Sequence, residues 1–330
     1  MRPYTYSRAG SPAEAVATLG KNENPHYLGG GTNLIDLMKE DVERPDALVD
    51  VSRLDLKAVE ATANGGLSLG ATLNNTDTAN HPEVRSKYPL LTMTMLSAAT
   101  EQIRNMATNG GNLLQRTRCP YFYETSMPCN KREPGTGCGA LNGMNALHAI
   151  FGWSESCVAT NPSDMNIALA ALGATVVTLQ PGGESRRIPF ADFHRLPGDA
   201  PERDTNLEPG ELITAIELDP PVFSDNYYYC KIRERNSYAF ALVSVAAGLQ
   251  LEGGRITKAG LAMGGVAHKP WKLTAAEEFL AGKAPGADVF EEAAQIALRD
   301  ARPLEENEYK VEMGKRAVVR ALTKAYERTA

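Results

Sequence analysis

A cysteine-rich segment without regular hydrophobic periodicity interrupts the chain near its middle. Three of the five cysteines lie in the stretch CPYFYETSMPCNKREPGTGC between Cys119 and Cys138, and Cys157 follows it. Between Arg116 and Asn145 the helical and strand patterns disappear, while Pro, Gly, Asn and Cys accumulate. An irregular segment of about 30 residues inside a compact domain is uncommon and is usually functional or disordered. We therefore expect an insertion that carries chemistry.

The spacing of the cysteines limits the kinds of site that they can form. Cys119, Cys129, Cys138 and Cys157 contain no C-x-x-C pair, so the zinc-ribbon and zinc-finger patterns do not match. Disulfides are disfavoured in a large chain without a signal peptide. Four thiolates on an irregular loop suit an iron–sulfur cluster, while a zinc site or buried apolar thiols remain the alternatives. Cys230 lies apart in a predicted strand, and we expect it to be a structural thiol.

Length and composition indicate a globular protein of two or three domains. The chain has 330 residues, with 43% hydrophobic and 22% charged residues. A net charge of −6 argues against nucleic acid as the main partner. The longest apolar runs, such as ALVSVAAGL, are too short to span a bilayer, so we expect no membrane insertion.

The N-terminal residues contain no charged leader followed by an apolar core. We therefore expect no secretory signal in this chain. The expected compartment is the cytoplasm, where cysteines stay reduced, or the periplasm if the folded chain is exported with a partner that carries a signal.

Local signals predict mixed helices and strands. GSPAEAVATLG has Ser11 as N-cap, Pro12 in the first turn and Gly20 after the end of a helix. DALVDV and LSLGATL predict strands, PLLTMTMLSAAT predicts a helix, and IRNMATNGGNLLQ predicts a glycine-containing loop. A Pro-Pro pair marks a boundary near residue 221. Strands joined by hairpins follow, and then three helices near 274–281, 287–300 and 307–328.

Two glycine segments have the composition of anion-binding loops. GGGTNL (29–34) precedes a predicted helix, and TNGGN (108–112) repeats the arrangement. Neither matches the dinucleotide fingerprint or the phosphate loop, and each alone can be an ordinary turn. Together, and with Asp164 at a predicted helix start, they indicate an extended diphosphate between two subdomains. Cys119 and Cys157 lie seven residues from Asn112 and Asp164, at most about 25 Å, so a metal would be near this ligand.

The ordered motifs GGGTNL, IRNMATNGGNL, TNPSDMN, GELITAIEL and YYYCKIRERNSYAFALVSVA resemble the FAD-binding subunit of the molybdenum hydroxylases, the xanthine dehydrogenase and aldehyde oxidoreductase family. The resemblance implies an α+β fold. A vanillyl-alcohol-oxidase-type FAD domain of two subdomains would span 1–221, with an inserted iron–sulfur loop at about 115–157. A C-terminal domain, a three-stranded sheet plus helices, would span 222–330. The cysteine loop is similar to that of an aldehyde oxidoreductase subgroup whose FAD subunit binds a [4Fe–4S] cluster.

The resemblance also assigns residues by position. The FAD diphosphate would be wrapped by His26, Tyr27, Leu28, Gly29, Gly30, Gly31, Thr32, Asn33 and Leu34. The remaining FAD contacts would come from Thr108, Gly111 and Asn112 in the second loop, Asp164 at cofactor hydroxyls, Ile213 near the flavin ring and Lys231 near the pyrimidine end. The [4Fe–4S] ligands would be Cys119, Cys129, Cys138 and Cys157.

The resemblance implies an electron-transfer subunit with no catalytic residue for substrate hydroxylation. In a heterotrimer, a molybdenum-cofactor subunit would oxidise an aldehyde, and a [2Fe–2S] subunit would pass electrons to this FAD and on to an external acceptor. Two alternatives belong to other classes. One is a stand-alone flavoprotein oxidoreductase with its own substrate, and the other is a zinc-stabilised, non-enzymatic binding module.

Overall fold

A computed structural model describes residues 1–329 and contains three sheets. The first sheet is parallel, in the order β1-β3-β2, with β1 (Thr5–Arg8), β2 (Pro25–Leu28) and β3 (Ala47–Asp50). Its strands are connected by helices α1 (Pro12–Leu19) and α2 (Leu34–Lys39). The predicted start of α1 is confirmed, because the Ser11 hydroxyl accepts a hydrogen bond from the Glu14 N–H.

The second sheet is antiparallel, in the order β4-β5-β8-β6-β7. Its strands are β4 (Val59–Ala61), β5 (Leu67–Gly70), β6 (Thr175–Leu179), β7 (Ser185–Pro189) and β8 (Leu212–Leu218). The helices of this region are α3 (Asn75–Asn80), α4 (Pro82–Lys87), α5 (Pro89–Ser97), α6 (Glu101–Met106), α7 (Asn109–Leu113), α8 (Pro120–Tyr123), α9 (Asp164–Leu172) and α10 (Phe190–Phe193).

The predicted loop over IRNMATNGGNLLQ is wrong, because this stretch forms α6 and α7. Each helix begins at a threonine N-cap. The Thr100 hydroxyl accepts a hydrogen bond from the Ile103 N–H, and the Thr108 hydroxyl accepts one from the Gly111 N–H. The glycines in the second helix suit close packing, since a Cβ on Gly110 would lie 3.2 Å from the Cβ of Ala71, the residue after β5. Tertiary packing here outweighs the low helix propensity of glycine.

Helix α9 is the centre of the main core. It begins at Ser163, which caps the Asn166 N–H, and ends at Gly173 in the left-handed conformation. Every residue of the helix from Asp164 to Ala171 is buried. The helix shares a hydrophobic core with strands of the five-stranded sheet and packs against three strands of the third sheet. Asp164 is therefore fixed where these two sheets approach each other.

The cysteine segment between α7 and α9 has little regular structure. Apart from α8, residues 114–163 form only isolated bridges, one of which pairs Cys129 with Cys138. Side chains replace the missing backbone ladder. The Arg132 guanidinium donates to four backbone carbonyls. The side-chain Oδ1 of Asn130 accepts from the backbone N–H groups of two glycines. The prediction of an irregular segment is confirmed, and polar contacts stabilise its conformation.

The third sheet is antiparallel and has four strands rather than the three predicted. They are β9 (Asn226–Ile232), β10 (Val243–Glu252), β11 (Arg255–Gly264) and β12 (Trp271–Lys272). The fourth strand has two residues, too few to produce an alternating pattern, and it forms because Met263 pairs with Trp271. The three predicted helices are confirmed as α11 (Thr274–Leu280), α12 (Ala287–Leu298) and α13 (Tyr309–Tyr326). No helix within residues 1–329 is long and apolar enough to cross a membrane.

Candidate cofactor-binding site

A cleft of about 910 Å³ lies between the first sheet, the loops around α6 and α7, and the start of β10. Its size is within the range of sites for large organic ligands. Thirteen of the fifteen predicted cofactor residues line it, namely His26, Tyr27, Gly29, Gly30, Gly31, Thr32, Asn33, Leu34, Thr108, Gly111, Asn112, Asp164 and Lys231. The other two, Leu28 and Ile213, do not line the cleft; Ile213 is buried in the main core beside Gly110.

The first glycine loop (29–34) packs directly against residues 108–112, the predicted second loop, which form the N-cap and most of α7. A Cβ on Gly30 would lie 1.8 Å from the Met106 carbonyl oxygen, and a Cβ on Gly29 would lie 2.8 Å from the Thr108 hydroxyl. Gly31 has a φ of 73°, which favours glycine. The first loop therefore requires glycine for backbone approach, and the approach forms the floor of the cleft.

Asn112 connects the second loop to the start of α9. Its amide nitrogen donates to the Asn75 carbonyl oxygen at 2.7 Å. Its own carbonyl oxygen accepts from the Ser163 hydroxyl at 2.6 Å and from the Gln115 amide at 2.8 Å. Since Ser163 caps α9, the same bonds set the position of Asp164 relative to the second loop.

Asp164 and Lys231 meet in the cleft wall. The Lys231 ammonium donates to the Asp164 carboxylate at 2.8 Å and to the Ser97 carbonyl at 3.2 Å, and the Tyr229 hydroxyl also donates to this carboxylate. Burial raises the pKa of Asp164, while the lysine and the tyrosine oppose that shift. Two residues predicted separately as cofactor contacts thus form one buried ion pair.

The sequence interpretation missed the arginines that precede Cys119. The Arg116 guanidinium pairs with Glu43, and its Nε donates to Asp204 at 2.8 Å. Arg118 pairs with Asp36 at 2.9 Å. Both arginines line the cleft. In the sequence RTRC, nothing distinguishes these two arginines from arginines that are exposed to solvent.

Aromatic residues after β9 form the mouth of the cleft. Tyr238 has a φ of 49°. The side chains of Tyr238 and Phe240 are each about half exposed. The Arg118 guanidinium lies 5.3 Å from the centre of the Phe240 ring, within cation–π distance. This contact joins the mouth to the beginning of the cysteine segment.

The four predicted metal ligands line one small cavity of about 10 Å³. Cys119, Cys129, Cys138 and Cys157 are all free thiols. Burial raises the pKa of Cys119 to about 12 and that of Cys157 to about 11, and the neighbouring thiols add to both shifts. No group of three or more His, Cys, Asp or Glu side chains in residues 1–329 is arranged to hold a metal ion.

Four cysteines around one cavity match the ligand count of a [4Fe–4S] cluster. A [4Fe–4S] cluster takes its cysteines at separate irons, so its ligands surround a volume instead of converging on one point. Of the four, Cys119 also lines the large cleft, and so does His148, whose Nε2 lies 3.1 Å from the Cys119 sulfur. Cys230 is buried in the core beneath the third sheet, as expected of a structural thiol.

Two family models together match almost the whole chain. The family described as "FAD binding domain in molybdopterin dehydrogenase" matches residues 2–221, and "CO dehydrogenase flavoprotein C-terminal domain" matches residues 227–328. The chain is 47% identical to the aldehyde oxidoreductase FAD-binding subunit PaoB of Escherichia coli (strain K12), over 98% of this chain and 99% of that one. It is 30% identical to the glyceraldehyde dehydrogenase medium chain of Sulfolobus acidocaldarius, over 88% and 85%.

Solved structures of related oxidoreductases have the same fold as this chain. A chain of CO dehydrogenase from Oligotropha carboxidovorans superposes with a TM-score of 0.77 at 25% identity, covering 99% of both chains. Quinoline 2-oxidoreductase from Pseudomonas putida superposes with a TM-score of 0.76 at 23% identity, which shows the shared fold. The expectations of an α+β fold, of FAD as cofactor and of an oxidoreductase subunit are confirmed. The chain belongs to the family of FAD-binding subunits of the molybdenum hydroxylases.

Proposed function

We propose that this chain is the FAD-binding, [4Fe–4S]-containing electron-transfer subunit of a molybdenum-dependent aldehyde oxidoreductase. The observation that carries the proposal is the placement of Cys119, which lines both the four-cysteine cavity and the large cleft. The aldehyde class is supported by the 47% identity with a relative named as an aldehyde oxidoreductase subunit. Electrons pass from a molybdenum-cofactor subunit and a [2Fe–2S] subunit, in a heterotrimer, through this chain to an external acceptor.

The cleft residues hold the FAD. The glycine loops at 29–34 and 108–112 bring backbone N–H groups to the diphosphate, because no Cβ separates the two loops. Asp164 and Lys231 bind polar groups of the cofactor, and Leu28 and Ile213 support the wall from behind it. FAD supplies the ability to exchange electrons singly or in pairs.

The four cysteines hold the cluster. A cavity of about 10 Å³ has room for little more than one water, so the thiols move outward when the cluster is inserted. Cys129 and Cys138 lie outside every helix and strand of residues 1–329, so this movement breaks no sheet or helix. Each thiol must also lose its proton, and the raised pKa values of Cys119 and Cys157 make cluster assembly release protons.

The chain divides into a domain of residues 1–221, which contains the insertion at about 115–157, and a domain of residues 222–330. The two family matches, to residues 2–221 and 227–328, support this division. The cluster either lies beside the electron route into the flavin or braces the insertion for subunit docking. Cys129→Ser separates these roles: normal assembly of the complex with lost electron transfer contradicts bracing.

Cofactor content tests the proposal. The purified chain should contain one FAD and about four irons, with flavin absorption bands above a broad iron–sulfur shoulder. Cys129→Ser should lose iron, while the matched control Cys230→Ser, in the core beneath the third sheet, should keep it. Zinc without flavin would favour the binding module, and turnover of an aldehyde by the chain alone would favour the stand-alone flavoprotein. Either result would contradict the proposed function.

A further inference from the structure

His148 lies between the two sites that the proposed function requires. Its side chain is buried, with the residue only 3% exposed, and its Nε2 is 3.1 Å from the Cys119 sulfur. Among side-chain groups within residues 1–329, His148 is the only one that hydrogen-bonds a sulfur of the four cysteines. Of these four, Cys119 alone lines the large cleft, and His148 lines the cleft beside it.

The backbone carbonyl of His148 is held by residues near the C-terminal end of the chain. Its carbonyl oxygen accepts from the Asn307 amide at 3.2 Å and from the Lys310 ammonium at 2.9 Å. Both donors are fully buried. Its N–H donates to the Asn145 carbonyl at 3.0 Å. Lys310 of α13 and Asn307 just before that helix therefore hold the backbone that carries the imidazole.

The partners of the two ring nitrogens decide which one carries hydrogen. The Nδ1 of His148 is buried and has no hydrogen-bond partner. A hydrogen on Nδ1 alone would leave a buried donor unsatisfied and would present two lone-pair acceptors, Nε2 and a thiolate, to each other. A hydrogen on Nε2 lets the imidazole donate to the sulfur. An imidazolium also carries this hydrogen, so the direction of the bond is the same in both protonation states.

A hydrogen bond to a ligand sulfur changes the energetics of a cluster. Reduction adds one electron and makes the sulfurs more negative, so a donor stabilises the reduced state more than the oxidised state. Neighbouring donors of this kind tune metal centres without touching the metal. No bond to iron breaks in this step, and the proton stays on Nε2.

We propose that His148 is a positioning residue that donates its Nε2–H to the Cys119 sulfur and raises the reduction potential of the cluster at the corner facing the cofactor cleft. This inference rests on the proposed function, because it requires a cluster on the four cysteines. It assigns His148 a role that a histidine merely filling the core would not have.

The test uses the full chain with ¹⁵N-labelled histidine. After iron is quantified, pulsed EPR of the dithionite-reduced protein should detect one weakly coupled histidine nitrogen, and His148→Leu should lose it. An EPR-monitored redox titration should give a lower midpoint potential for His148→Leu than for the wild type. His148→Gln, which retains an N–H donor on a side chain of similar reach, should restore most of the difference.

The outcomes separate the two proposals. Fewer than about four irons in the wild type would count against the proposed function. Full iron with no histidine nitrogen coupling in the wild type would overturn the role of His148, and so would an unchanged midpoint in a fully loaded His148→Leu. If the leucine variant fails to load iron, the wild-type spectrum and the His148→Gln titration still decide.

Discussion

Lys231 on β9 and Asp164 at the first turn of α9 form a 2.8 Å ion pair whose side chains are 5% and 7% exposed. They lie 67 residues apart in the chain and come together in the wall of the cofactor cleft. Tyr229 adds a second donor to the same carboxylate. The pair ties the third sheet to the helix that caps the cleft.

Asp164→Asn should destabilise the folded chain. It leaves Lys231 buried without its counter-charge, and breaking a buried pair on one side costs about 3–5 kcal/mol. Chemical denaturation of the FAD-free protein measures this loss, and flavin absorbance should show a lower FAD content. The double variant Asp164→Asn/Lys231→Met should recover part of the stability. If it is as unstable as the single variant, the pairing argument fails.

Gly30→Ala should prevent normal packing of the two glycine loops. The added Cβ would lie 1.8 Å from the Met106 carbonyl oxygen, so the backbone of one loop must move. We expect a lower melting temperature and a large loss of bound FAD. Gly20→Ala is the matched control, since Gly20 has an ordinary helical φ of −61° and its Cβ would lie 3.8 Å from the nearest atom. Equal FAD content in both variants would contradict the prediction.

Asp204→Asn should weaken the insertion. Asp204 accepts from Arg116 and Lys131, which hold its pKa well below its usual range despite burial. Lys131 is 2% exposed, so losing its carboxylate partner should cost about 3 kcal/mol. Urea unfolding and the iron content report the effect. Glu83→Gln, which breaks a solvated pair on α4, should leave both unchanged; an equal effect from both variants would refute a special role for Asp204.

Lys310 should make stability depend on pH above neutrality. It donates to three backbone carbonyls without an acidic partner, and burial lowers its pKa to about 7. The unfolded chain, with an ordinary lysine pKa of about 10.4, binds the proton more readily between these values. The free energy of unfolding contributed by this group therefore rises as the pH increases from about 7 to about 10.

The measurement compares urea unfolding at pH 7 and pH 9 for the wild type and Lys310→Met. The methionine variant keeps the aliphatic stem and cannot titrate, so its stability should change less between the two pH values. Identical slopes would show that Lys310 keeps its ordinary pKa in the folded chain.

Structural features that depend on a few neighbouring residues could be predicted from the sequence. Ser11 and Pro12 define the start of α1, and Ser163 with Gly173 bracket α9, because caps are local hydrogen bonds between residues three or four positions apart. The irregular cysteine segment was predictable for the same reason, since periodicity and its loss are local properties. The two-residue β12 lacked such a signal.

By itself, the sequence determined the caps of α1 and α9, the two glycine segments and the set of four candidate cysteine ligands. Only the tertiary structure decided that Lys231 faces Asp164, that Arg116 reaches Asp204, and that Cys119 lines the cleft. A charged residue has the same local pattern whether water or a buried partner surrounds it. Which of these occurs depends on chain reversals dozens of residues away, and these bring the partners together only when the sheets pack.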